Sequence, residues 1–197
     1  MTERFALSKL VFRSASASRW NDLETLFGER GACGGCWCMV WRMRTRDWVA
    51  GKGKKNKSAL RRLVKSGKRP GILAYFDRDP IGWCAIAPRR EYSALERSRV
   101  LKPVDDQTVW SIACLFIRRD YRRKGVSSRL IRAAVDFAGR RGAGIVEGYP
   151  VEPTMAKTPD PFIWTGVLSA FERAGFKEVA RRSKTRPIMR YTTRRRS

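Results

Sequence analysis

The sequence contains no histidine among its 197 residues, and this absence narrows the chemistry open to the protein. Ser-His-Asp and Cys-His nucleophilic catalysis both require an imidazole, and so does every zinc site with a histidine ligand. What remains is chemistry carried out by positioning, backbone amides, carboxylates or cysteine thiols. An enzyme built from this sequence therefore has to work without the commonest general base.

Long apolar runs are also missing, since no segment approaches the roughly 20 residues that span a bilayer. The first ten residues alternate and carry charge, without the apolar centre of a signal peptide. Five cysteines, an odd number in a chain of this size, favour reduced thiols over a disulfide framework. The sequence thus predicts a cytoplasmic protein without a membrane partner.

Acidic residues are scarce: Asp and Glu number 18 against 43 Lys and Arg, which leaves a net charge of +25. Such an excess indicates an anionic partner. Much of it lies in residues 42–69, where twelve basic residues accompany one acid, and in the last 17 residues, where eight basic residues accompany none. Neither tract interleaves aromatic residues with the charges, so we expect contact with nucleic acid to be non-specific only.

An apolar content of 43% predicts a folded chain, and its pattern predicts one mixed α/β domain over residues 1–197. Residues 42–69 are expected to form a variable basic insertion, with a mobile loop at 51–57 and a short helix from Ser58. Residues 193–197 are expected to form a basic tail. The remaining pattern predicts strands over 5–12, 72–76, 81–87, 108–117 and 144–150, helices over 20–27, 130–138 and 166–174, and a closing hairpin over 176–190.

One segment carries more chemical information than the rest. The apolar strand over 110–117 leads into the basic turn Arg122-Arg-Lys-Gly-Val-Ser127 and then into a helix. Such a turn aligns backbone N–H groups at a helix N-terminus, where they attract a pyrophosphate. Gly125 lets the backbone approach the phosphates, and the short side chain of Ser127 keeps the entrance open. A plain solvated basic turn is the alternative for these six residues taken alone.

This segment resembles the cofactor motif of the GNAT superfamily of acyl-CoA-dependent N-acyltransferases. Arg122, Gly125 and Ser127 match the motif in place, and Tyr121 matches the aromatic residue before it. A second match, Phe171-Glu-Arg-Ala-Gly-Phe176, lies where that superfamily passes from helix to strand. The resemblance is strongest over 108–179. It implies an α/β (α+β) fold: a mixed central sheet, flanked by helices and splayed between its fourth and fifth strands.

The resemblance also implies a reaction. Acetyl-CoA would be the acyl donor and a primary amine of a small molecule or peptide the acceptor, attacking the thioester directly. The resemblance also leaves a homodimer as an alternative to a monomer, because dimers are common in the superfamily. The implied coenzyme A residues are Leu115, Phe116, Ile117, Arg122, Arg123, Lys124, Gly125, Val126, Ser127, Ser128 and Phe171.

Two departures from the superfamily pattern concern catalysis. Phe171 stands where many members have a tyrosine that protonates the leaving thiolate, and the central strand has no carboxylate at the usual base position. Strand alternation puts Glu147 and Tyr149 on one face, so they are the substitute candidates for base and acid. A structural role is the alternative for both, and a site without a dedicated acid is a third interpretation.

A cysteine-rich segment, Cys33-Gly-Gly-Cys-Trp-Cys38, precedes the basic insertion. Structural zinc needs four ligands, so we expect no metal; a thiol switch or a buried turn are the other interpretations. Trp37, Trp41 and Trp110 are expected to form the aromatic wall of an acceptor pocket. Two other functions stay open: a nucleic-acid-associated binding module without turnover, and a metal or redox sensor built on these cysteines.

Overall fold

The protein folds around one seven-stranded sheet. The structure, a computed structural model, describes residues 5–153 and 162–193. Along the sheet the strands follow the order β1-β2-β3-β4-β5-β7-β6. They are β1 Val11–Ser14, β2 Gly71–Phe76, β3 Asp79–Pro88, β4 Trp110–Ile117, β5 Ile145–Gly148, β6 Lys177–Arg181 and β7 Pro187–Thr192.

Six α-helices cover the sheet within the described residues. They are α1 Trp20–Phe27, α2 Thr45–Ala50, α3 Lys54–Lys65, α4 Ser93–Glu96, α5 Val126–Gly139 and α6 Leu168–Arg173. Apolar residues of α5 and α6 pack on one face of the sheet. Those of α1 and α3 pack on the other. The predicted mixed α/β sheet flanked by helices is thereby confirmed.

Successive side chains of β2 point to opposite faces of the sheet, so this one strand contributes to the cores on both faces. Ile72 and Phe76 point into the core beneath α5, whereas Leu73 and Tyr75 point towards α1 and α3. All six residues of β2 are buried, as are most of β3 and β4. Strands buried on both faces are expected to be nearly continuously apolar, which is what made them recognisable in the sequence.

β4 and β5 form a parallel pair that ends early. Their register runs from Trp110 opposite Val146 to Ile112 opposite Gly148, and stops there. All the other strand pairs in the sheet are antiparallel. β4 continues for five more residues with its β5 side unpaired by a strand, so the sheet opens between the two strands as the resemblance implied.

A β-bulge interrupts β4 where it leaves β5. Ala85 lies opposite Cys114 and Ile86 lies opposite Ile112, so Ala113 is an extra residue on β4. Such an insertion bends the strand and turns the following side chains. As a result Cys114 lies in the core beneath α1 and α3, and Leu115 in the core beneath α5.

Some local expectations need correction. The predicted loop over 51–57 is helical from Lys54, because the apolar residues Leu60 and Val64 anchor a longer α3 on the sheet. The first predicted strand, 5–12, is a short 3-10 turn at Leu7–Lys9 followed by β1. Of the predicted tail 193–197, all but Thr193 lies outside the described residues. Among the described helices, none combines the length and the apolar composition that a membrane crossing requires.

Candidate active site

The opening between β4 and β5 is closed by a segment from elsewhere in the chain. The backbone N–H of Leu115 points to this open side and donates a hydrogen bond to the carbonyl of Trp164, with an N···O distance of 2.7 Å. Beyond β5, Val151 forms an isolated parallel bridge with Val167. Residues 162–167 therefore line the opening, and the Trp164 carbonyl occupies the backbone amide of Leu115, one of the residues that the resemblance assigned to coenzyme A.

The basic turn after β4 is built around Gly125, the residue that precedes α5. Its φ is 80°, in the left-handed region that favours glycine. A Cβ added there would lie 3.1 Å from Cδ1 of Leu7. α5 starts immediately afterwards, so the amides of Val126, Ser127 and Ser128 lie in a first helical turn that has no preceding carbonyl to bind. The predicted juxtaposition of strand, glycine turn and helix start is present.

Two basic side chains of this turn are held in place. Nε of Arg122 donates to the carbonyl of Ile117 at 2.9 Å, which fixes the turn to the end of β4. Nζ of Lys124 lies 5.6 Å from the ring centre of Phe5 and 5.7 Å from that of Tyr121. Arg123 is exposed and has a φ of 58°. Their positive charges are thus grouped at the N-terminus of α5.

Phe171 is fully buried and packs where β5 ends. A Cβ on Gly148 would lie 2.0 Å from its ring, and one on Gly166 would lie 2.8 Å from it. The same Cβ on Gly166 would lie 2.7 Å from Cδ1 of Leu115. The phenyl ring therefore fills the α5 side of the opening and contacts backbone that borders Leu115. It has no polar atom to offer to a leaving thiolate.

On the opposite face of β4 lies a cavity of about 230 Å³. Its walls are mostly apolar and rich in sulfur: Ala32, Cys33, Gly34, Cys36, Cys38, Val40, Trp48, Lys52, Cys114, Leu115, Phe116 and Trp164. Leu115 and Trp164 belong both to this cavity and to the strand opening. The cavity consequently meets the predicted acyl-donor site at these two residues.

The cysteine-rich segment and the basic insertion form the outer wall of the cavity. Asn56 of α3 is fully buried, and its Nδ2 donates to the carbonyls of Gly35 at 3.3 Å and Trp48 at 3.1 Å. The amide of Gly53 donates to the same Gly35 carbonyl at 2.9 Å. A Cβ on Gly35 would lie 2.4 Å from the nitrogen of Gly53. The cysteine-rich segment and the basic insertion are thereby joined at glycine backbones.

Two thiols of the cavity wall, those of Cys36 and Cys38, have pKa values raised above the usual value, so both stay protonated at neutral pH. Burial, followed by the nearby Cys38, raises the pKa of Cys36 from its usual 9.0 to about 11. The pKa of Cys38 is raised well above its usual value, first by its hydrogen bond with Cys114 and then by burial. No group of three or more His, Cys, Asp or Glu side chains in residues 5–153 and 162–193 is placed to hold a metal ion.

Glu147 and Tyr149 lie together in a buried cluster of charges. The Tyr149 hydroxyl donates to Oε2 of Glu147 at 2.7 Å, contacts the Ser111 hydroxyl at 2.7 Å and accepts from Nη1 of Arg89 at 2.8 Å. Oε1 of Glu147 accepts from Nε of Arg190 at 2.9 Å. Burial, with Glu147 second, raises the pKa of Tyr149 well above its usual value. Both residues are bound to their neighbours, and their role as base and acid stays a prediction.

Of the three tryptophans predicted to wall an acceptor pocket, none lines the cavity. Trp37 is 3% exposed and stacks on Trp20 with ring centres 6.1 Å apart, because a left-handed backbone at Trp37 folds the indole into the core. Trp110 faces α5 and packs on Phe137. Trp41 reaches the site indirectly, with its ring 5.6 Å from that of Trp164. The aromatic residues that line the cavity are instead Trp48, Phe116 and Trp164.

Several residues of the site were not identified from the sequence. Trp164 lies in a segment without periodicity, and nothing local indicates that its carbonyl meets Leu115. Asn56 looks like one polar residue among many in a basic helix. A single amide side chain between apolar helix positions does, however, indicate a buried residue that holds neighbouring backbone through hydrogen bonds. Arg89 belongs to a run of charges, and only the fold shows that it is 6% exposed and bound to Glu147.

Comparison with known proteins identifies the fold and the family. The model of the Acetyltransferase (GNAT) family matches residues 37–153, which is more than half of the chain. No protein among those with curated functions matches the sequence.

Solved structures with the same fold have diverged far in sequence. The PaiA N-acetyltransferase from Thermoplasma acidophilum, crystallised in complex with coenzyme A, is 15% identical with a TM-score of 0.52, covering 93% of this chain and 99% of that one. A GNAT-family acetyltransferase from Listeria monocytogenes is 8% identical with a TM-score of 0.57, covering 93% and 95%. A chain of the NatC complex bound to Gag peptide and CoA is 11% identical with a TM-score of 0.54, covering 94% and 99%.

Proposed function

The chain belongs to the acetyltransferase (GNAT) family, and on that premise we propose that it transfers the acetyl group of acetyl-CoA to a primary amine. The observation that carries the proposal is Gly125, left-handed at φ 80°, which immediately precedes α5 in the turn after β4, the strand whose β5 side is unpaired beyond Ile112. A turn of this kind presents amides and the positive end of a helix to phosphate. Two of the similar solved structures contain coenzyme A.

In this proposal the pyrophosphate of the donor binds the amides of residues 123–128. Arg122, Arg123 and Lys124 add long-range attraction, while the buried Val126 anchors the start of α5 in the core. The pantetheine arm follows β4 along Leu115, Phe116 and Ile117, on the side that β5 has left. Phe171 shapes the end of this channel by packing against Gly148 and Gly166.

The thioester oxygen takes the hydrogen bond of the Leu115 amide. Because the Trp164 carbonyl holds that amide in the free protein, residues 162–167 have to shift when the donor binds. One hydrogen bond replaces another, so the exchange itself costs little. The same N–H then stabilises the negative charge that grows on the thioester oxygen during attack.

The acceptor is proposed to enter the cavity on the other side of β4, which meets the donor site at Leu115 and Trp164. Its neutral amine attacks the thioester carbon: the N–C bond forms, the C–S bond breaks, coenzyme A leaves as thiolate, and the amine proton passes to solvent. Proximity in a largely apolar cavity supplies the rate enhancement. The apolar walls favour an acceptor with an apolar or aromatic body.

The proposal is tested by a screen of amines with acetyl-CoA in which release of free thiol is followed and the acetylated product is identified by mass spectrometry. We expect thiol release that depends on one class of amine, and a rise in thermal stability on adding acetyl-CoA alone. If acetyl-CoA neither stabilises the protein nor loses its acetyl group to any amine in the screen, the proposed activity is wrong.

A further inference from the structure

Two thiols that the proposed reaction does not use lie in contact in the cavity wall. Sγ of Cys38 and Sγ of Cys114 are 3.0 Å apart, although 76 residues separate them in sequence. Each residue is 6% exposed, and both border the cavity. Both are free cysteines, so the contact is a dithiol.

Separate local distortions bring the two sulfur atoms together. Cys38 has a φ of 52°, a left-handed conformation that is unfavourable for a residue other than glycine. Cys114 directly follows the bulge residue Ala113, which turns it onto the cavity face of the sheet. Neither distortion is needed to continue the chain, and together they aim both thiols at one point.

We propose that Cys38 and Cys114 form a reversible disulfide and make the cavity wall a site of oxidative modification. A disulfide needs an S–S distance of about 2.05 Å, so the sulfur atoms have to approach by roughly 1 Å. That movement is within the reach of side-chain rotation, because the thiols already touch.

A peroxide is the class of oxidant that fits the site, since it is small enough to enter the cavity. The sulfur of one cysteine attacks the O–O bond of the peroxide and its thiol proton passes to the departing oxygen, so that the cysteine becomes a sulfenic acid and one water molecule leaves. The second thiol attacks that sulfur, the S–S bond forms and a second water leaves. Two thiols and one hydrogen peroxide thus give one disulfide and two waters. A thiol reductant returns the pair to the dithiol by exchange.

The other cysteines are less suited to this pairing. Cys84 is buried in the core beneath α5, on the opposite face of the sheet from Cys114. Cys33 and Cys36 lie in one turn, where the Cys36 amide donates to the Cys33 carbonyl at 3.0 Å. A disulfide between these two is the competing outcome, and it would leave β4 untouched.

Oxidation of Cys38 and Cys114 would tie the cysteine-rich segment to β4 at the residue before Leu115. On the proposed function, this shifts the cavity wall against the reacting carbonyl, and a misplacement near 1 Å lowers transfer rates by about tenfold or more. The donor's phosphates are proposed to bind residues 123–128, in the turn beyond β4 and outside the cavity wall, so acetyl-CoA binding should persist. Loss of transfer with retained donor binding is therefore the expected signature.

The experiment treats the full-length protein with hydrogen peroxide, alkylates the remaining thiols and maps cross-linked peptides by mass spectrometry. We expect a peptide pair joining Cys38 to Cys114, which disappears after dithiothreitol. Cys38→Ala and Cys114→Ala should each abolish this pair, while Cys33→Ala and Cys84→Ala should both retain it. Thermal unfolding of each variant checks that it folds.

The outcomes separate the disulfide from the proposed activity. Peptide mapping does not depend on enzyme turnover, so it tests the Cys38–Cys114 cross-link even if no amine is acetylated. A pair joining Cys33 to Cys36, or unpaired sulfinic acid at Cys38, overturns the proposal. Where acetyl transfer is measurable, the wild-type protein should lose this activity on oxidation and regain it with dithiothreitol. The folded Cys38→Ala variant should keep its activity on oxidation. An equal loss of activity in that variant also overturns the proposal.

Discussion

The backbone amide of Leu115 and the carbonyl of Trp164 are joined by a hydrogen bond of 2.7 Å across the open side of β4. The strand thus keeps its polar groups satisfied where β5 has diverged, as buried backbone requires. On the proposed function, an acyl donor that binds the Leu115 amide has to displace the Trp164 carbonyl from it.

Amide exchange should report that displacement. In the free protein the Leu115 amide should exchange slowly, and with acetyl-CoA it should stay protected while the Gly166 amide, bound to the Ile163 carbonyl, exchanges faster. The amide of Arg118, bound to Ile81 outside the opening, serves as the control. Protection at Gly166 that does not change in the bound state would contradict the proposed exchange of partners.

Gly125 and Gly142 lie at opposite ends of α5 and have nearly the same φ angle, 80° and 81°. They therefore allow a matched test of the basic turn that is proposed to bind the donor's phosphates. Replacing either by alanine should cost about 1 kcal/mol of stability, because both are left-handed. Only Gly125→Ala should also weaken acetyl-CoA binding, as measured by calorimetry. Equal donor affinity in the two variants would remove Gly125 from the site.

Gly148 is required by the ring of Phe171. Gly148→Ala places a methyl group 2.0 Å from that ring and should cost about 1–3 kcal/mol in the free energy of unfolding. Gly144→Ala, near the same strand with nothing within 4 Å, is the control and should be close to neutral. Combining Gly148→Ala with Phe171→Leu should recover part of the loss; a purely additive double variant would show that the two residues do not interact.

Glu147 and Tyr149 can be tested for a structural against a catalytic role. Glu147→Gln removes the buried carboxylate shared by Arg89 and Arg190, although Arg89 keeps its pair with Glu96 and Arg190 its pair with Asp105. The loss of charged hydrogen bonds should cost about 1.5–3 kcal/mol in denaturant unfolding. Glu152→Gln, at a partly exposed position that loses a pair with Arg181, should cost about 1 kcal/mol or less. Tyr149→Phe should lower stability by about 1–3 kcal/mol and leave kcat unchanged. A fall in kcat with preserved folding would make Tyr149 a catalytic acid.

The thiol of Cys36 should show a shifted titration. Its pKa is raised to about 11, so alkylation by iodoacetamide should rise with pH around that value, whereas a short cysteine peptide titrates near 9.0. Since the folded pKa lies above the unfolded one, burial of this thiol contributes stability below pH 9 that is lost as pH rises towards 11. The pH profile of peptide alkylation, read by mass spectrometry, checks the shift; a midpoint near 9.0 would refute it.

The parts predicted correctly from sequence are those with local signals. β2, β3 and β4 are apolar runs bounded by turn residues, and α5 repeats its buried residues at helical spacing, so each is visible without tertiary information. The turn around Gly125 was recognisable because its chemistry depends on adjacent residues.

The parts that the sequence did not reveal depend on contacts between distant segments. The side chain of Trp37 looked available for a pocket, yet its left-handed backbone and Trp20 bury it. Trp164 joins the site only through a carbonyl, which its side chain does not reveal. Cys38 and Cys114 are 76 residues apart, and their contact depends on a bulge that no local pattern announces.

If the cavity binds the acceptor as proposed, the glycine contact between Gly35 and Gly53 constrains how acceptor preference can diverge among relatives. Their backbones meet so closely that neither the cysteine-rich segment nor the basic insertion can be lengthened or exchanged without the other, and Asn56 ties both to α3. Residues 31–57 should therefore be inherited, and be transplantable, as one cassette. A chimaera carrying only one of its halves would inherit neither parent's acceptor range.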